Sequence, residues 1–100
     1  DNSFFGYQAG GVGVVTGNNN CVFGKSAGYD LTSGSGNILA GRLAGQNFTS
    51  NDLNVVIGHQ SMETADNHEN YNVAIGAYTL QTLNTTAGDL DNWQVEVNTN

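Results

Sequence analysis

The sequence predicts an all-β fold, a β-solenoid or β-roll of about five coils of 17–18 residues each. Three observations predict it. A short figure of one asparagine, three strand-like residues and one glycine recurs five times at near-constant spacing. Glycine accounts for 14 of the 100 residues, asparagine is similarly abundant, and proline is absent. Both abundant residues disfavour helix interiors and suit tight turns. A repeat of this length is also too short for a helical hairpin, whereas it fits one coil with short strands and turns.

The copies follow in order. They read NSFFGYQAG from Asn2, NCVFGKSAG from Asn20, NILAGRLAG from Asn37, NVVIGHQSM from Asn54 and NVAIGAYTL from Asn72. Their anchoring glycines are Gly6, Gly24, Gly41, Gly58 and Gly76, separated by 18, 17, 17 and 18 residues. Residues 1–88 therefore form the repeat solenoid. The asparagine column is expected to hydrogen-bond from coil to coil and satisfy backbone groups at a corner. The glycine column marks a positive φ or a close backbone approach. Three places after the glycine stands a small residue: Ala9, Ala27, Ala44, Ser61 or Thr79. Seven places after it come Gly13, Leu31, Phe48, Ala65 and Leu83, followed by polar turns. With rungs about 4.8 Å apart, five coils give a stack roughly 24 Å long. Residues 89–100 break the repeat. Asn92 opens a decayed sixth copy with no glycine to follow, and the alternation Trp93, Val95, Val97 predicts a strand leaving the solenoid, as a cap or a link to a further module.

Alternate strand residues face opposite sides. One side carries Ser3/Phe5, Cys21/Phe23, Ile38/Ala40, Val55/Ile57 and Val73/Ile75. The other carries Phe4, Val22, Leu39, Val56 and Ala74. Both are apolar, and a thin solenoid has a single interior, so one side must be wet. The expectation is that the Phe4–Val22–Leu39–Val56 column lies exposed and marks a self-association surface. Cys21, the single cysteine, forms no internal disulfide and is expected to be a small buried hydrophobe.

The copy FFGYQAG, Phe4 to Gly10, with TGNNN at Thr16 to Asn20, resembles the repeat of phage tail-fibre proteins, which reads close to N-T-A-I-G-Y-Q-A-L followed by T-G-N-N. The chain is more distantly similar to the heads of trimeric autotransporter adhesins, whose unit is a shorter S-V-A-I-G. The resemblance covers roughly residues 2 to 85. It departs at Ala40-Gly41, where the family prefers Ile-Gly, and at Ser61-Met62 and Thr79-Leu80. What it implies is a parallel homotrimer in which rolls pack side by side around an axis. Fibres of this kind often continue into a chaperone domain that drives trimerisation. The chain opens inside a copy of its repeat, which predicts a longer parent.

Charge narrows the function classes. A net charge of −7 excludes a basic nucleic-acid-binding face. No apolar run reaches membrane-spanning length, so no membrane insertion is expected. No catalytic constellation is visible, no cofactor is implied, and no enzyme activity is expected. His59 and His68 lack partners at metal-ligand spacing. The loop holding Glu63, Asp66, Asn67 and Glu69 is the best calcium candidate, yet it lacks the DxDxDG arrangement, and no metal is expected. One column holds chemistry: Tyr7, Lys25, Arg42 and His59 each follow an anchoring glycine. Stacked, they form a line able to grip a phosphate or acidic sugar, or simply a solvated edge that resists association.

The expected function is a structural and adhesive module of a trimeric fibre. It forms a rigid shaft in a virion tail fibre or other extracellular surface appendage and presents, or adds to, binding of a host-surface glycan or other receptor. A bacterial trimeric adhesin head is the alternative. A glycan-degrading tailspike fits less well, because no repeat places two carboxylates on neighbouring strands.

Overall fold

The computed structural model describes residues 1–65, 69–81 and 95–97. Each coil contributes one three-residue strand: β1 Ser3–Phe5, β2 Cys21–Phe23, β3 Ile38–Ala40, β4 Val55–Ile57 and β5 Val73–Ile75. A sixth, β6, spans Val95–Val97. All pair in parallel in the order β1-β2-β3-β4-β5-β6. The chain is thus all-β, a solenoid of about four complete turns, and each predicted repeat supplies one rung. The register Ser3↔Cys21↔Ile38↔Val55↔Val73 matches the repeat alignment residue for residue.

The two columns that bound the strand are built as their residue types require. Asn20, Asn37, Asn54 and Asn72 are buried. Each takes the Oδ1 of the asparagine one coil earlier as acceptor for both its backbone N–H and its Nδ2; between Asn37 and Asn20 these distances are both 3.0 Å. Nδ2 donates a second time to a turn carbonyl, as Asn37 does to Asn51 O at 2.7 Å. At the other end, Gly41 has φ +134°, and a Cβ there would lie 2.5 Å from Gly58 O. Adjacent coils approach too closely at that corner for any side chain.

Inward asparagine also sets which strand face is buried, and this overturns the expected exposure. With period-two alternation, an inward Asn turns the first strand residue out, the second in and the third out. Val22, Leu39, Val56 and Ala74 are therefore the core, each at most 1 % exposed. Phe4, at the end rung, is the partly open member of the same inward column. The apolar surface facing solvent is the other set, Phe5, Phe23, Ile38, Ile57 and Ile75 among them. Cys21 belongs to that outer face and is exposed, not buried.

Opposite the strands, Ala27, Ala44, Ser61 and Thr79 fill the small-residue column, and Leu31, Phe48 and Ala65 close the core. Ser61 Oγ and Thr79 Oγ1 meet at 2.6 Å, so the polar members of the column satisfy each other. Core volume is exchanged within coils. Gly28 precedes Leu31 and Gly45 precedes Phe48, whereas Met62 precedes Ala65 in the equivalent slots. A Cβ on Gly45 would lie 3.0 Å from Leu39 Cδ2 and 3.3 Å from the Phe48 ring. Where that ring is absent, the Met62 side chain takes the space and is fully buried.

The C-terminal strand differs from its expectation. β6 does not leave the solenoid but adds a rung, with Val95 beside Val73 and Val97 beside Ile75. By sequence count from this register, Asn98 falls in the slot that glycine holds elsewhere and Gln94 in the slot of the asparagine. Leu83, Asn92 and Trp93 lie outside the described residues.

Candidate functional site

Two surfaces meet at the glycine corner. The first is the outer face of the sheet. It is lined by the first and third residues of each strand, and none of these twelve positions is charged. Phe5 is 69 % exposed, Phe23 56 % and Ile57 41 %. Phe5 and Phe23 stack with ring centroids 5.1 Å apart and planes 7° from parallel. Such stacking follows from in-register parallel pairing, which places equivalent side chains one rung apart. Parallel sheets normally have both faces covered. Here the inner face is covered by the coil itself and the outer face lies open in the single chain.

The second surface is the edge beyond the glycines. Tyr7, Lys25, Arg42 and His59 are brought together as the stacking requires. Their carbonyls accept, in turn, from the N–H groups of Ser26, Leu43, Gln60 and Tyr78 one coil later, at 2.9–3.0 Å. Lys25 Nζ lies 5.8 Å from the centroid of the Tyr7 ring, a cation–π distance. His59 packs edge-on against Tyr78, at 5.4 Å between centroids. The His59 ring is thus engaged by an aromatic neighbour, and Lys25 and Arg42 remain exposed cations on an otherwise acidic chain.

Two carboxylates of the calcium candidate, Glu63 and Glu69, hold other partners. Glu63 accepts from Gln60 Nε2 at 2.6 Å and from Gln81 Nε2 at 3.1 Å. Glu69 is buried beside Asn51, whose Nδ2 donates to its Oε2 at 3.3 Å. Asp66, Asn67 and His68 lie outside the described residues, and among the described residues no three His, Cys, Asp or Glu side chains converge.

Sequence reasoning missed a second polar ladder on the turns. Asn18, Ser35, Asp52 and Asn70 stand two places before the asparagine column. Each offers a side-chain oxygen to a backbone nitrogen of the preceding coil: Asn18 N to Ser35 Oγ at 3.0 Å, Ser35 N to Asp52 Oδ1 at 2.7 Å, and Asp52 N to Asn70 Oδ1 at 2.7 Å. The four residues share only a short side chain with an acceptor, a signal visible once the turns are aligned.

Compared with protein-family models, with curated proteins and with solved structures, the chain matches none.

Proposed function

We propose that this chain is a structural and adhesive module of a fibre, in which three parallel copies pack their outer sheet faces around a common axis to form a rigid shaft that presents, or contributes to, binding of a host-surface receptor. The observation that carries this reading is the outer face: apolar, uncharged and continuous over six rungs. A surface of this kind needs cover, and a homo-oligomer covers it with the same patch on every copy. The cationic edge supports the direction of packing, since Lys25 and Arg42 keep their side of the coil solvated and disfavour association there.

The repeat motif supports the tail-fibre or surface-appendage setting, and the function is mechanical rather than catalytic. Rung-to-rung hydrogen bonds run along the strands, the asparagine column and the turns, so bending the stack breaks several ladders at once. Multiple copies add avidity to any receptor contact.

The experiment is the solution mass by light scattering, with and without reductant. Three chains per particle in both conditions is the expected result. A stable monomer would overturn the shaft reading.

A further inference from the structure

The turn ladder borders an open groove of about 370 Å³, within the size range of small-ligand sites. Four successive coils contribute to it, from Asn19 through Gly36 and Leu53 to Tyr71. Three rung steps make it roughly 14 Å long. Coil geometry places all four of these residues at positive φ, from 58° to 71°. Asn19 and Gly36 meet that demand cheaply. Leu53 and Tyr71 do not, and neither is repaid by full burial as Met62 is: Leu53 stays 51 % exposed. Gly36 makes room for it, because a Cβ there would sit 2.7 Å from Leu53 Cδ2. Leu53 is thus held at the surface and Tyr71 half-buried, both in a conformation that disfavours them, beside fixed polar groups.

The residues with polar side chains are one carboxylate, Asp52, the amides Asn19 and Asn70, the hydroxyls Ser33 and Ser35, and the phenol Tyr71. Among the described residues no cation lines the groove. We infer that it is a binding site for a neutral oligosaccharide. The C–H face of a sugar ring packs on Leu53 and Tyr71, while Asp52 and the amides take its hydroxyls. Acidic sugars and phosphates are disfavoured by Asp52 and by the net charge of −7. A divalent cation needs six or more oxygens, several of them charged, and one carboxylate does not supply them. The site lies on the turns at the asparagine end of the strands, where each coil's groove residue stands two places before its strand, whereas the Tyr7–His59 edge follows the glycine end. It gives the receptor contact of the proposed function a ligand class, and rests on that reading only to this extent.

The test is an amide-resolved NMR titration of the whole chain. The probes are maltotriose and chitotriose as neutral oligosaccharides and sialyllactose as the acidic one, each to about 50 mM, a range that reaches weak carbohydrate affinities. At least one neutral probe is expected to shift Asn19, Gly36, Leu53 and Tyr71, and to bind about tenfold or more tighter than sialyllactose. Asp52→Asn keeps an oxygen for the Ser35 N–H while removing the charge. Leu53→Asn suits the positive φ. Both variants are expected to melt as the parent does and to lose about fivefold or more in affinity. Silence with both neutral probes, shifts centred on Lys25 and Arg42 instead, or full affinity in both variants would each overturn the inference. Light scattering on the same sample separates the two readings: three chains with a silent groove removes this site alone, and a sugar-binding monomer removes the shaft alone.

Discussion

Asn54 donates twice to one atom. Its backbone N–H and its Nδ2 both reach Asn37 Oδ1, at 3.0 and 3.1 Å, and the same side chain passes the pattern on by accepting from Asn72 N at 2.9 Å. One buried side chain therefore ties three coils. Its second Nδ2 hydrogen goes to Glu69 O at 2.9 Å, which closes the turn.

Replacing Asn54 by Ala takes the shared acceptor from the buried Asn72 N–H and from Asn72 Nδ2, while Glu69 O keeps Asn51 Nδ2 as a donor at 3.3 Å. Each unsatisfied group costs about 1–3 kcal/mol, so the expected loss is on the order of 3 kcal/mol. Asn54→Asp is expected to be no better. It keeps an acceptor for Asn72 but turns a buried carboxylate oxygen toward Asn37 Oδ1 and Glu69 O, both acceptors. Urea unfolding at one fixed chain concentration measures both. An Asp variant as stable as the parent would mean that the ladder does not depend on the donor.

Gly41 tests the opposite corner. Gly41→Ala places a Cβ 2.5 Å from Gly58 O and 2.7 Å from its carbonyl carbon, at φ +134°. Backbone, not a flexible side chain, must move. The expected cost is about 3 kcal/mol or more, read from the same urea curves. By contrast, Gly13, with nothing within 4 Å of its would-be Cβ and no positive φ, is expected to accept Ala with a change within about 0.5 kcal/mol.

These two columns were legible in the sequence because each needs one residue type at one spacing. The strand parity was not. Residues such as Phe23 and Val22 are both apolar, so alternation carries no sign; the sign comes from the asparagine, whose side chain must point inward to reach its neighbours. Cys21 was misplaced for the same reason. The positive φ at Gln8, Ser26, Leu43, Gln60 and Tyr78 was hidden because nothing in those side chains announces it. Leu53 and Tyr71 were hidden likewise, and with them the groove. The Tyr7–Lys25–Arg42–His59 line was found from spacing alone, since residues at one slot of a stacked repeat must form a column.

Core volume exchange predicts a coupling. Met62→Gly removes a fully buried side chain, a loss of about 2–5 kcal/mol by analogy with truncation to Ala. Relief at its φ of 46° returns only about 1–2 kcal/mol, so the single change destabilises. Ala65→Phe overpacks the same coil, by about 1–3 kcal/mol. Together they recreate the Gly45/Phe48 arrangement of the coil before. The double variant is expected to be more stable than the sum of the two by at least about 2 kcal/mol. Additive effects would show that the slots do not share space.

The outer face predicts a change in mass without a change in fold. Ile57 is 41 % exposed at the middle of that face, and its outward side chain takes no part in the rung-to-rung hydrogen bonds. Ile57→Lys is therefore tolerated by the single coil, but it places like charges near one another where copies meet, and desolvates them. The expected outcome is a fall in solution mass to one chain, with the far-ultraviolet spectrum of the sheet retained. Arg42→Glu, one corner away on the exposed edge, is the comparison and is expected to leave the mass unchanged. Cys21 adds a stoichiometric check. A short bismaleimide can join only two chains through a single cysteine each, so a closed trimer is expected to give a two-chain band holding at most about two-thirds of the protein. Ile57→Lys should abolish that band. If Arg42→Glu instead dissociates the particle, the copies meet at the cationic edge, and the open apolar face needs a different partner.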